Sequence, residues 1–418
     1  MKPVLPSNTH VYLPGNAKSS QYGKQLLEDL GATVALASLK TTEERINRWE
    51  TSGLGELTGF PEAPLLECPV PLAEYGDGVL DAFTALLGHQ LIDKPCGADL
   101  MATRASHYQF FRQGNLSLSG SCRILPCSDG HIAINLARDS DWELLPAWLL
   151  NKVTPEWTSL ELQIRAKTTE ELVNQGRLLG LAVTNATPPI PTARNWYTAS
   201  QIAAPINART RPPRVIDLSS LWAGPLCSRL LQWSGAEVIK VEDSHRPDGA
   251  RFGSKSFFHF LNSGKTERTL SLKSNRGQEA LKQLIRSADI VIEGSRPRAL
   301  RQMGIIAEQL LEEVPGLCWL SISGYGRNDP EANWIAYGDD AGIAAGLSRI
   351  LKQHTGKWMI AGDAIADPLT GMHAALAALA CWRAGGGQLM SLSLVETIQH
   401  CIAFSGAGAD LDAKQCVF

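Results

Sequence analysis

The carboxylate of Asp367 is the side chain whose type and setting best suit it to chemistry. It stands in AGDAIADPLTGMHAALAALACWR, where Asp followed by Pro opens an alanine-rich helical pattern. Two readings stay open at this level. Asp and Pro are favoured at the cap and first position of a helix, so Asp367 has a purely structural use. The same position surrounds a carboxylate with free N–H groups and a partial positive charge, which favour its ionised form. An ionised carboxylate is a nucleophile toward a thioester.

Lys265, Arg268, Lys273, Arg296, Arg298 and Arg301 flank the loops that follow apolar runs at 238–242 and 290–293. Open sheets bind ligands beyond the carboxyl ends of their strands, so a phosphorylated nucleotide tail would suit these cations. Exposed Lys and Arg need no ligand to explain them, and a solvated face is the competing reading. The first βα turn reads Ala223-Gly224-Pro225 instead of G-x-G-x-x-G, which disfavours an ordinary NAD site. Glycine there lets backbone approach a ligand, and proline starts the helix. Nine His and nine Cys show no metal-ligand spacing, so no metal is assigned, and His373 reads as a packed side chain. Ser219, Ser220 and Ser228 lack the surroundings of a nucleophile elbow. Ser323-Gly324-Tyr325-Gly326 resembles a phosphate cradle only loosely, and Gly385-Gly386-Gly387 reads first as a helix end and turn.

The elements that must position these residues begin at Arg214. VIDLSSL is a buried-strand run, AGPLCSRLLQWSG a helix by its apolar period and AEVIKVE a second strand; SNRGQEALKQLIRSA, DIVIEG, RPRALRQMGI and LCWLSISGYG continue the alternation. Such spacing predicts an α/β fold with a doubly wound parallel, Rossmann-like sheet over 214–418. Residues 187–213, with Pro188, Pro189, Pro191, Pro205, Pro212 and Pro213, are expected as a linker. Residues 95–186, with a hairpin around Asp129-Gly130, are expected as a smaller α+β domain. Residues 1–94 contain a weak copy of the second half: LLEDLGATV lies on LLQWSGAEV without a gap, and YGDGVLDAFTALL on the stretch ending in TGMHAALAALA.

Composition narrows the function classes. With 418 residues, 44% hydrophobic and 19% charged, the chain has ample material for packed domains and lies far from the disordered class. A net charge of −3 supplies no global field for nucleic acid or an acidic membrane. The opening MKPVLPSNTHVYLPGN has no apolar signal core and residues 372–382 are too few to span a bilayer, so a soluble cytoplasmic protein is expected. The cysteines, without a CxxC pair, read as reduced thiols.

RVIDLSSLWAGPLCSRLLQWSGAEVIKVE, FLNSGKTERTLSLKSNRGQEALKQLIRSADIVIEGSRPRALRQMG and LCWLSISGYG together closely resemble the class III CoA-transferases, the CaiB/BaiF type that includes formyl-CoA transferase and carnitine CoA-transferase. The likeness runs from about Arg214 to Thr397. It implies that Asp367, which with Pro368, Leu369, Thr370 and Gly371 matches the family's D-x-x-T-G segment, is the catalytic carboxylate. It places coenzyme A contacts on Leu221, Trp222, Ala223 and Gly224, on Leu270 and Lys273, on Gly294 and Ser295, and on Ala299, Gln302 and Met303. The family has an aromatic or Asn-Phe pair where this chain has Gly294-Ser295, and an arginine at Gln302. Asp243 holds a position that is basic in some members. Arg296, Arg298 and Arg301 are expected to compensate.

The family's small domain follows the aspartate segment, whereas the similar segment here precedes the Rossmann half, so the chain resembles a permuted pair with an eroded first half. Glu74 falls at the counterpart of Asp367 and is expected to be a relic. The resemblance implies transfer of coenzyme A between an acyl-CoA and a small carboxylic acid through an aspartyl anhydride and an aspartyl-CoA thioester. Coenzyme A is then a substrate and no cofactor is permanently bound. Backbone N–H groups near Gly371 or in Gly385–Gly387 are expected to face the oxyanion. A homodimer is allowed, and neither nucleic acid nor membrane is expected as a partner. The rival readings are an acyl-CoA racemase or isomerase of the same fold, whose second acid/base histidine is missing from IAYGDDAGIAAGL, and an eroded paralogue that only binds coenzyme A.

Overall fold

A computed structural model describes residues 2–15, 17–37, 47–93, 95–192, 194–207, 209 and 211–407. Cys416 lies outside the described residues. Its strands form three sheets. β1 (His10–Pro14) and β2 (Thr33–Ala37) make a two-stranded parallel pair. β3 (Cys122–Pro126), β4 (His131–Asn135) and β5 (Ala182–Asn185) make an antiparallel sheet, joined at its first turn through Asp129-Gly130. The large sheet contains β6 (Thr198–Gln201), β7 (Arg214–Asp217), β8 (Glu237–Asp243), β9 (Thr266–Leu270), β10 (Ile290–Glu293), β11 (Cys318–Ser323) and β12 (Gln388–Ser393).

The large sheet runs in the order β6-β12-β11-β10-β7-β8-β9, parallel throughout except for β6. From β7 the chain winds outward through β8 and β9, then returns to the other side of β7 and winds through β10, β11 and β12. The loops after β7 and β10 therefore leave the sheet side by side at the point where the winding reverses, which is where open α/β sheets form a crevice. Buried on both faces, β10 reads IVIE and β11 CWLSI, whereas the edge strand β9 reads TERTL and is almost wholly exposed. The sequence thus dictates which strands are central.

Helices Ala223–Trp233 and Ala366–Arg383 cover one face, and Asn275–Arg286 and Ala307–Glu313 the other. Ala366–Arg383 is apolar all round and nearly all buried, because the helices Lys18–Asp29 and Leu72–Leu87 pack outside it. One apolar core consequently runs from Leu26 and Phe83 through Leu369 and Met372 to Leu226 and Ile292. The antiparallel sheet has a core of its own, including Ile132, Trp148 and Leu172.

Two placements differ from the sequence reading. Thr198–Gln201, inside the stretch read as linker, pairs antiparallel with β12; four mostly exposed residues carry no apolar alternation to announce a strand. Gly97–Tyr108, inside the stretch read as the small domain, packs against Leu72–Leu87 through the close approach of Gly97 to the backbone of Gly76. No helix among the described residues is long and apolar enough to cross a membrane.

Candidate active site

Asp367 occupies the first turn of Ala366–Arg383 at the end of a tightly folded loop. Ala364 takes a left-handed conformation (φ 44°), its carbonyl accepts from Asp367 N–H (2.8 Å), and its N–H donates to Asp339 Oδ1 (2.9 Å). Such a φ is strained for a residue with a Cβ and survives only where the surroundings fix it. The Gly338 N–H favours the ionised form of the Asp367 carboxylate, and a methyl group at Gly338 would lie 2.7 Å from Asp367 Oδ2, so only glycine fits. Asp339 and Asp340 follow on the helix Gly338–Ala344, both buried, and Asp363 is buried just before Asp367.

Three of these acids hold protons far above the ordinary carboxylate range. Burial first, then Asp339 and Asp363, raises the Asp367 pKa to about 7 against the opposing pull of Arg104 and Gly338 N–H. Burial and Asp363 put Asp339 at about 6; burial and Asp339 put Asp340 at about 7. The helix N-terminus therefore does not keep Asp367 fully ionised, as its sequence position suggested: desolvation and like charge outweigh it. Asn135 of β4 donates to Asp340 Oδ1 (2.9 Å), which ties the antiparallel sheet to the acid cluster.

The residues expected to meet coenzyme A all lie on the carboxyl rim of the large sheet. Leu221, Trp222, Ala223 and Gly224 follow β7, and Gly294 and Ser295 follow β10 beside them. A methyl group at Gly294 would stand 3.0 Å from Ser219 Cβ, and one at Gly224 2.2 Å from Ser219 Cβ. The two glycines thus close the loops onto one serine. Leu221 is left-handed (φ 71°) and its side chain is 42% exposed, so a buried loop presents one leucine outward. Ala299 and Gln302 lie on the helix Pro297–Gln302, which Met303 caps. Met303 and Leu270 pack on the same apolar layer, while Lys273 is exposed two strands away from the crevice.

The cations separate in space. Lys265 is not a ligand-facing side chain: its ammonium is buried against Asp217 Oδ2 (3.2 Å), Ser228 Oγ (2.7 Å), Pro225 O (3.0 Å) and Asn262 Oδ1 (3.0 Å). Arg268 is exposed on edge strand β9, and Arg301 donates to Glu308 (2.8 Å). Arg296 remains, half-buried, and its guanidinium pKa is lowered by burial and by Arg298, Arg138 and Arg246 around it. Sequence reasoning missed Arg138 and Arg246, which reach this cluster from the antiparallel sheet's domain and from the loop after β8. Asp243 fastens that loop, accepting from Leu272 N–H (3.2 Å) and His245 N–H (3.3 Å), which accounts for an acid at this position.

Other candidates resolve as structural. His373 is buried between Leu369 O (2.7 Å) and Tyr22 Oη (2.8 Å), and burial lowers its pKa to about 3. The Gly385–Gly387 N–H groups donate to Trp382, Cys381 and Leu317 carbonyls at the amino end of β12, away from Asp367, so they are not the oxyanion donors anticipated above. Glu74, in the first turn of Leu72–Leu87, lines a separate cleft with Lys18, Glu67 and His354. No His, Cys, Asp and Glu side chains among the described residues are grouped to hold a metal.

A sheet whose winding reverses between β7 and β10, and a buried acid at the start of a helix on one of its faces, define an open α/β half. Residues 213–415 match the model of CoA-transferase family III. Formyl-CoA:oxalate CoA-transferases from Escherichia coli and from Shigella boydii are 32% identical over 196 residues, covering 44% of this chain and 47% of theirs. The chain thus spans about half the length of the curated relatives it matches. Among solved structures, a hypothetical protein from Mycobacterium tuberculosis is 25% identical with a TM-score of 0.41, over 51% of this chain and 59% of that one. A CaiB/BaiF family protein from Brucella suis is 25% identical with a TM-score of 0.40, over 50% and 58%.

Proposed function

We propose that the chain is a CoA-transferase that moves coenzyme A from an acyl-CoA to a small carboxylic acid, with Asp367 as the carboxylate that takes up first the acyl group and then coenzyme A. One observation carries the reading: the acid of the family's D-x-x-T-G segment is buried with a pKa of about 7, and the Arg104 guanidinium that acts on it lies over the Trp222 ring in the loop after β7. In the first step a carboxylate oxygen of Asp367 attacks the thioester carbon, the C–S bond breaks, and CoA thiolate leaves an aspartyl anhydride. The thiolate then attacks the aspartyl carbonyl, releasing the donor acid and leaving an aspartyl-CoA thioester; the acceptor carboxylate repeats both steps in reverse. A carboxylate suits this exchange because nucleophile and leaving groups have similar basicity. The poised pKa leaves a large ionised fraction at neutral pH, and burial limits hydrolysis of the anhydride. Leu221 to Gly224, Gly294, Ser295, Leu270, Lys273, Ala299, Gln302 and Met303 bind coenzyme A in this reading, with the Arg296 cluster facing its phosphates. Coenzyme A comes and goes as substrate, and a cytoplasmic homodimer is part of the proposal.

Intact-protein mass spectrometry tests it. Wild type and Asp367→Ala are mixed with a panel of short acyl-CoAs and trapped with hydroxylamine. An adduct that requires Asp367 supports the transferase; coenzyme A binding with no adduct from any donor moves the assignment to an eroded binding protein. A racemase or isomerase is the second reading, because Asp339 with a pKa of about 6 acts on Asp367 from the next helix and supplies a second acid/base group where no histidine stands. Absence of solvent deuterium at the α-carbon of bound acyl-CoA would sink that alternative.

A further inference from the structure

The cation that faces Asp367 comes from outside the family-matched residues. Arg104, on the helix Gly97–Tyr108, donates through Nε to Asp363 Oδ2 (2.9 Å) and through Nη2 to Asp363 Oδ1. Asp363 is fully buried and lies on the loop that Ala364 turns into the Asp367 helix. The same guanidinium lies over Trp222 (5.6 Å to the ring centroid) and Phe110 (5.8 Å). One planar group is therefore clamped between the loop that launches the acid and the loop expected to hold coenzyme A.

We propose that Arg104 is a positioning residue for Asp367: it fixes the Asp363 loop against the Trp222 loop and supplies the positive charge that lets Asp339, Asp363 and Asp367 share one cavity. This rests on the reading that Asp367 is the working carboxylate, and it gives the helix Gly97–Tyr108, which packs on Leu72–Leu87, a role in the site. Three acids without a cation would repel one another, and the one most easily protonated would cease to be a nucleophile. A bidentate guanidinium suits this place because its fork also sets the angle of the loop, which a point charge does not.

The charged groups facing Asp367 are Arg104, Asp339 and Asp363. On the other helices packed along Ala366–Arg383, Asp77 is held by Arg48, Arg229 by Gln232 and Ser263 O, and His400 by Arg194 O. Asp81 and Glu396 are raised by burial; neither they nor Glu74 are among the groups that act most strongly on Asp367. Arg104 is the cation on which the balance turns.

Carboxyl-carbon NMR of protein labelled at Asp, with the Asp367 resonance assigned from Asp367→Asn, reads its ionisation without any acyl-CoA. In Arg104→Met the midpoint is expected to rise by about one pH unit or more, and Arg104→Lys is expected to recover most of that shift. If Arg104→Met leaves a buried charge that prevents folding, Arg104→Met/Asp363→Asn is compared with Asp363→Asn alone, and the same rise is expected between them. An unmoved midpoint in a folded variant overturns the proposal. Failure of the transferase reading would appear separately, as lack of adduct in every variant, and would leave this titration intact.

Discussion

A methyl group at Gly371 would stand 2.6 Å from the backbone oxygen of Ala223, so the Asp367 helix and the helix behind the Trp222 loop touch backbone to backbone one turn beyond the acid. This contact sets the distance between the proposed nucleophile and the crevice. The first segment repeats it: a methyl at Gly78 would lie 2.3 Å from Ser19 O. Laying Leu26 on Leu230 puts Ser19 on Ala223, and laying Glu74 on Asp367 puts Gly78 on Gly371. Two alignments made on different stretches converge on one packing contact, which supports the proposal that residues 1–94 derive from the same unit.

Gly371→Ala is expected to destabilise the chain by about 1–3 kcal/mol, because the added carbon meets backbone that cannot rotate away. Urea unfolding would register it as a lower midpoint, and acyl adduct formation is expected to fall further than stability does. An unchanged midpoint would mean that the two helices slide apart freely.

The parallel sheet was legible in the sequence because its central strands are unbroken apolar runs separated by amphipathic helices, and Asp129-Gly130 marked the hairpin between β3 and β4. The site was legible only as a point. Asp367 carried a motif, but Arg104 and Asp363 meet across 259 residues, and MATRASHYQF contains no pattern that names a partner. The cation group misled for a related reason. Nearness in sequence placed Lys265 among ligand-facing charges, while the chain turns it inward onto Asp217 and leaves Arg138 to arrive from another domain.

Asp367→Asn is expected to be more stable than wild type at pH 8 and equal to it near pH 4. The folded-state pKa of about 7 lies well above the ordinary value of an aspartate, so folding favours the protonated acid. The associated stability is fully present below the unfolded value and is lost as pH rises toward 7, a loss that asparagine does not share. Thermal unfolding across this window should show a gap that opens to about 4 kcal/mol. A constant difference at all pH values would count against the raised pKa.

Lys240→Met is expected to cost about 3–5 kcal/mol and to raise the KM for acyl-CoA. Lys240 Nζ is buried against Asp248 Oδ2 (2.9 Å) and Ser219 O (3.1 Å), while Asp248 Oδ1 accepts from the left-handed Leu221 (2.9 Å). Removing the ammonium leaves a buried carboxylate uncompensated and frees the loop that presents Leu221. Steady-state kinetics on the folded fraction would separate the two effects; a lowered midpoint with an unchanged KM would confine Lys240 to stability.

Arg296→Gln is expected to weaken coenzyme A binding several-fold while leaving stability unchanged or higher, the reverse of what a structural arginine does. Arg296 is half-buried beside Arg298, Arg246 and the Asp141-paired Arg138, so burial and like charge make its charge less favourable. A cluster that repels itself in the free protein and is relieved by ligand phosphates acts mainly through electrostatics, and its contribution must fade with salt. Calorimetry with coenzyme A and with its dephospho form, at low and high ionic strength, reads this directly. The variant should lose most of the salt dependence, and if only one of the two ligands is affected, the cluster faces the phosphate that distinguishes them. Equal binding by wild type and variant at low salt would remove these arginines from the site and return the anion to Lys273 and the loops after β7 and β10.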